Sequence, residues 1–378
     1  MFHFVPLIAL FASCAVGQPP GQSSDAAPPE LILKHAIELH QKGDLAGAVD
    51  EYRAYLKLRP NALDARSNLG AALARRGRYE DAIAEYQQAL AIDRHNPGVI
   101  MNLGLAYYKT GRYTEATGQL ASAHSLQPAN NQVTMLLADA HLRLGNNTKV
   151  IELLRPLEKA NQQDLGVAYM LGTALIRENQ PAQGRILVER ILKNGDSAEA
   201  RMLLGATKLQ AGDFAGARDD LQKATELNPQ LPDVFSAYGS ALLATGDTVA
   251  ASAAFRKELD VNPNDFMSYL DLGVLEKQDQ RYDEAMKKFR RAMELRPGDI
   301  GVRYQIATIY VLTGDVSAAQ RELEAIIKDS PQFTEAHVSL ATVYYRLKRK
   351  EDGDRERAIV QKLNADAQAR EPGARTQP

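Results

Sequence analysis

LDARSNLGAALARRGRYEDAIAEYQQALAIDRHN, residues 63–96, holds two helical patterns separated by a glycine. In the first, Leu69, Ala72 and Leu73 share one face at helical spacing. Gly77 can take the left-handed conformation that ends a helix. The second run, Ala82, Ile83, Tyr86, Ala89 and Leu90, repeats the i, i+3/i+4 and i+7 spacing. Gly70 and Ala82 are small because two antiparallel helices cross there, and larger side chains would hold the backbones apart. Neither helix can bury its apolar face alone. The stretch therefore predicts a hairpin that stacks on copies of itself.

The copies are present. The small residue at Gly70 recurs at Ala36, Gly104, Ala138, Gly172, Gly205, Gly239, Gly273, Ala307 and Ala341, in steps of 34 residues with a single step of 33. Twelve positions after each stands a second residue, mostly small: Ala48, Ala82, Ala116, Val150, Gly184, Ala217, Ala251, Ala285, Ala319 and Gly353. Four positions later come Tyr52, Tyr86, Leu120, Leu154, Val188, Leu221, Phe255, Phe289 and Leu323. Pro60, Pro128, Pro229, Pro263, Pro297 and Pro331 close six of the copies, where proline stops a helix from continuing.

This pattern resembles the tetratricopeptide repeat, whose motif runs W-x2-L-G-x2-Y, then A-x3-F-x2-A, then P. Leu69-Gly70, Leu103-Gly104, Leu171-Gly172, Leu204-Gly205 and Leu272-Gly273 keep its Leu-Gly pair literally, while its leading aromatic survives at Phe235 and Tyr269. The resemblance covers residues 29–365, in ten repeats beginning at Pro29, Leu63, Pro97, Asn131, Leu165, Ala198, Pro232, Phe266, Ile300 and Thr334. It implies an all-α fold, a right-handed superhelical α-solenoid of stacked helix-turn-helix units. About 337 of the 378 residues are thus one stacked domain rather than two globular ones.

Composition narrows the function. Lys plus Arg is 45 against 47 Asp plus Glu, a formal charge of −2, without the basic excess of a nucleic-acid binder. With 45% hydrophobic residues the chain can build a core, and its single cysteine, Cys14, allows neither an intrachain disulfide nor a Cys-rich zinc site. None of the seven histidines belongs to an HExxH or to a pair with metal-ligand spacing. His35 and His141 stand at repeat positions that are usually apolar, where a packed histidine is expected. Nucleophile-elbow, P-loop and dinucleotide-binding motifs are missing, and the array leaves too few residues for a catalytic domain. The expectation is a non-enzymatic chain with no catalytic or metal-ligating residues and no cofactor.

Outside the array, MFHFVPLIALFAS at residues 1–13 resembles the apolar core of an export signal, too short for a membrane anchor. Residues 1–17 are read as an export or lipoprotein signal, and two cuts are open. Phe11-Ala12-Ser13-Cys14 resembles a bacterial lipobox, which makes Cys14 a lipidation site and its lipid the expected membrane contact. Ala15-Val16-Gly17 resembles a small-x-small cleavage site that releases a chain starting at Gln18. Either places the protein in the bacterial periplasm or envelope; the alternatives are secretion, or the cytoplasm if no signal operates. Residues 18–28 have linker composition, and residues 366–378 read as a disordered tail. The last repeat mixes Arg349, Lys350, Glu351, Asp352, Arg355, Glu356 and Arg357, as suits a solvated end cap.

Function is expected in the groove. In the family the resemblance names, the first helix of each repeat lines a concave face that holds partner peptides. Carried over position by position, that face takes Met101, Met135, Tyr169, Met202 and Tyr304 three residues before the small marker. It takes Leu105, Asp139 and Thr173 just after the marker, and Tyr108 and Leu142 four after it. The Lys/Asn clamp of chaperone-binding members is absent. So is the asparagine ladder of glycosyl-transferring members, for which only Asn68 and Asn102 are in place. A face rich in Met, Tyr and aliphatic residues suits an apolar peptide segment or an amphipathic helix. The expected function is an interaction scaffold binding a protein or peptide there. The alternative is an accessory subunit of an envelope enzyme or secretion complex, docked through a solenoid edge. Val150, the interior Pro156 and the short repeat 165–197 together predict either a change of curvature near 146–197, dividing two arms, or a local kink.

Overall fold

Helix starts follow side chains that satisfy free backbone amides. Asn96, Asn130, Asp164 and Ser197 each accept from an amide in the first turn of a first helix, and Asp44 and Asp213 do the same for second helices. The computed structural model describes residues 28–370, and no β-strand occurs among them. The export segment, Cys14 and all but the last residue of the expected linker lie outside the described residues.

The described residues fall into two bodies, divided between Ala237 and Tyr238. The N-terminal body holds α1 (Pro29–Lys42), α2 (Leu45–Leu58), α3 (Leu63–Arg75), α4 (Tyr79–Ile92), α5 (Pro97–Lys109), α6 (Tyr113–Leu126), α7 (Asn131–Arg143), α8 (Asn147–Ala160), α9 (Leu165–Arg177), α10 (Pro181–Leu192), α11 (Ala198–Ala211) and α12 (Phe214–Leu227). Helix α13 (Val234–Ala244) runs across the division. The C-terminal body continues with α14 (Thr248–Val261), α15 (Phe266–Gln278), α16 (Tyr282–Leu295), α17 (Ile300–Thr313), α18 (Val316–Asp329), α19 (Thr334–Arg346) and α20 (Lys350–Arg370). In each body consecutive helices pack as antiparallel hairpins, and each hairpin packs on the next.

The crossing residues do what their size predicts. A Cβ on Gly70 would stand 2.6 Å from the Tyr86 ring, and one on Gly273 would stand 2.6 Å from the Phe289 ring. The aromatic sixteen positions on fills the space that the glycine leaves. Ala82, Ala116, Ala217, Ala251, Ala285 and Ala319 are all fully buried.

Two expectations change. One apolar cluster runs unbroken through 146–197, from Ala138 through Val150, Leu154, Leu171 and Val188 to Leu203, and the division into two bodies lies beyond it, at 237/238. Helix α8 continues through Pro156, and the short fifth repeat is absorbed by a 12-residue α10 where its counterparts have 14. The tail begins later than residue 366, since α20 runs to Arg370 on helix-favouring Ala, Gln and Arg residues. His35 is exposed and bonded to Glu51, whereas Leu69 at the same register is buried against the preceding hairpin; among the described residues no helix precedes α1. The buried histidines are His40 and His337.

Candidate functional site

Nine of the ten expected face residues lie in the N-terminal body, on α5, α7, α9 and α11. Met101, Leu105, Tyr108, Met135, Asp139, Tyr169 and Thr173 are half-buried, while Leu142 and Met202 are buried, 5% and 9% exposed. Tyr304 lies in the C-terminal body, where its hydroxyl meets Ser339 Oγ at 3.0 Å and its ring packs edge-on against Phe333.

Polar atoms of the N-terminal set link neighbouring repeats in two places. The Tyr108 hydroxyl donates to Asp139 Oδ2 at 2.7 Å, and Tyr169 hydroxyl contacts Met202 Sδ at 3.5 Å. The Thr173 hydroxyl donates to the Tyr169 carbonyl of its own helix at 2.9 Å. Burial pushes the Tyr108 and Tyr169 phenols well above their ordinary range, and both stay protonated donors.

Three charged residues that the sequence reading passed over complete this face: Arg143, Arg177 and Asp233. Arg143 Nε donates to the Tyr108 hydroxyl at 3.3 Å and lies 3.4 Å from Asp139, while its Nη1 meets Asp233 Oδ1 at 2.5 Å. Arg177 Nη2 stands 3.9 Å from Asp233 Oδ2. Burial opposes the charge on Arg143, and Asp233 is the main partner that restores it, with Tyr108 and Asp139 adding to its support. A register signal could have found the arginines. Five positions after the small marker, four successive repeats carry Arg75, Lys109, Arg143 and Arg177. That register also has a structural use: Arg75, Gln210 and Arg346 each reach back to a carbonyl of the preceding first helix, those of His40, Ile176 and Val311. From the same register Arg143 extends to a carboxylate. Asp233 has no such signal, because it belongs to a linking loop.

Among the described residues no group of three or more His, Cys, Asp or Glu side chains could hold a metal ion, and no helix is long and apolar enough to cross a membrane.

Comparison with known proteins points in one direction. The profile of a family described as "Tetratricopeptide repeat" matches residues 101–164, 169–232 and 237–300, three stretches of 64 residues making 192 of the 378. A second profile of that description matches 277–340, and one described as "TPR repeat" matches 72–111. Anaphase-promoting complex subunit 3 of Schizosaccharomyces pombe is 22% identical over 138 residues, 36% of this chain and 21% of that protein. Cellulose synthase operon protein C of Xanthomonas axonopodis pv. citri is 30% identical over 162 residues, 41% of this chain and 10% of that protein. The chain thus spans about a fifth or less of these relatives' length. A chain in the crystal structure of the APC/C hetero-tetramer Cut9–Hcn1 superposes with a TM-score of 0.55 at 10% identity, covering 90% of this chain and 88% of that one, which is a likeness of fold.

Proposed function

The chain belongs to the tetratricopeptide-repeat family, and we propose that it is a non-enzymatic interaction scaffold that seats a partner peptide or helix on the first-helix face of its N-terminal body. The observation that carries this reading is the half-burial of Met101, Leu105, Tyr108, Met135 and Tyr169. They pack at the edge of the apolar clusters yet keep surface that a partner can cover. Methionine adapts to varied shapes, and tyrosine adds contact area with a polar tip.

A second reading, docking through an edge as an accessory subunit, is favoured by another observation. Leu58, Ile92 and Leu126 are the last residues of α2, α4 and α6, and they are 47%, 41% and 45% exposed. A photo-crosslinking residue placed at Met135, and separately at Ile92, decides between the two in the native host. The groove reading expects a protein adduct from position 135 that is lost when Tyr169→Ala is added. Adducts from position 92 alone would establish the edge instead. Export, with lipidation at Cys14 or release at Gln18, is proposed on the apolar run of residues 1–13. Mass spectrometry of the mature N-terminus tests it, and an intact Met1 refutes it.

A further inference from the structure

The ion pair between Arg143 and Asp233 joins residues 90 positions apart, from the fourth repeat to the seventh. Repeats in a solenoid ordinarily touch only their neighbours, so this bond, which passes over the fifth and sixth, is not a consequence of stacking. The loop that supplies Asp233 is also irregular. It runs through residues 228–233, six residues where most other linkers between hairpins have four, and α13 starts two residues after the repeat boundary. Asp233 holds a left-handed φ of 70°, which disfavours a non-glycine residue. An irregular loop thus carries a carboxylate to a largely buried guanidinium that also meets Tyr108 and Asp139, with Tyr169 close enough to feel both charges.

Resting on the groove reading above, we propose that Asp233 is an internal stand-in for a partner's carboxylate. The partner is an acidic peptide segment with flanking apolar side chains, its carboxylate on Arg143 and Arg177 and its apolar groups against Met135, Tyr169 and Met202. The exchange conserves charge, one carboxylate leaving as another arrives. Arg143 is already desolvated in the free protein, so the incoming group meets a prepared cation, and a buried Arg143 left without a partner is avoided.

The test pans a random 12-residue peptide library, displayed on phage, against the full chain and four variants: Asp233→Asn, Arg143→Gln, Met135→Asp and the double variant Arg143→Gln/Asp233→Asn. Removing the internal competitor should enrich peptides with Asp or Glu beside apolar residues, and these should bind Asp233→Asn on the order of tenfold more tightly than wild type, because the competent state is no longer diluted. Arg143→Gln should lose that acidic preference. The double variant replaces the ion pair with a neutral polar pair, so it keeps the fold if the single change does not, and it should show no acidic preference either. Equal affinity for wild type and Asp233→Asn overturns the proposal, as does acidic selection by the double variant. Peptides lost on Met135→Asp but carrying no acid would leave the groove standing and remove the carboxylate seat. Peptides indifferent to Met135→Asp, or no selected peptide at all, would remove the groove reading itself.

Discussion

His40 is sealed inside the first hairpin, fully buried, with Tyr52 hydroxyl 3.4 Å from its Nδ1 and its Nε2 without a hydrogen-bond partner. Burial, with Arg75 adding to it, lowers its pKa from 6.5 to about 4, so the folded protein keeps the ring neutral. The sign follows. Below pH 6.5 the unfolded chain binds a proton that the folded one refuses, so His40 contributes nothing unfavourable above 6.5 and destabilises progressively as pH falls from 6.5 to about 4. With solvent screening near this first hairpin allowed for, the loss should be roughly 1–2 kcal/mol at the acid end. Urea midpoints across that interval should fall for wild type, and His40→Leu should flatten this part of the profile. An unchanged slope in the variant would place the acid sensitivity elsewhere. The hairpin turns offer a second residue-scale test. Gly43, Gly77 and Gly111 take positive φ there, and Gln280 sits in the corresponding turn at 61° without glycine's freedom. Gln280→Gly should therefore stabilise by about 1 kcal/mol, the balance of relieved left-handed strain against glycine's entropy. A lower melting temperature would contradict it.

Within helices the same substitution should act with opposite signs according to register. Gly205, on α11, faces Leu221, and a Cβ there would lie 2.4 Å from Leu221 Cγ in a region without slack. Gly118, on α6, has no atom within 4 Å of its would-be Cβ. Alanine gains about 0.5–1 kcal/mol over glycine in a helix interior, while overpacking a filled core costs about 1–3 kcal/mol. Gly118→Ala should therefore stabilise by roughly 0.5–1 kcal/mol, and Gly205→Ala should destabilise despite its better propensity. Thermal melts of the two variants side by side check this; a shift of the same sign in both would mean the crossing yields more easily than its geometry indicates. This distinction was legible in the sequence, because Gly205 lies on the 34-residue ladder and Gly118 does not. Helix starts were legible for a similar reason: Asn96, Asn130 and Asp164 are local caps read within three residues. The late start of α13 was not, since nothing local distinguishes Pro232 from Pro97, which does open a helix. Arg143 and Asp233 were illegible as a pair because no register relates a helix end to a loop 90 residues away.

Across the molecule, stability should be distributed as the contacts are, from hairpin to neighbouring hairpin rather than through one central core. Phe289 is fully buried on α16 and fills the space opposite Gly273 on α15, entirely inside the C-terminal body. Phe289→Ala leaves a cavity with few ways to collapse, since α15 and α16 are already held at the crossing distance, and it should cost about 3–5 kcal/mol locally. Native-state hydrogen exchange reads where that loss goes. Amides of α15, α16 and α17 should lose protection first, because they stack directly on the vacated site. Those of α3, α5, α7 and α9 should exchange as in wild type, because their apolar clusters draw on residues of the N-terminal body. The proposed partner face lies on these last helices, so a peptide bound by wild type should still bind Phe289→Ala with unchanged affinity. Loss of protection in equal measure along the described residues would show instead that all the described repeats unfold as one cooperative unit, and that the partner face depends on packing in the C-terminal body.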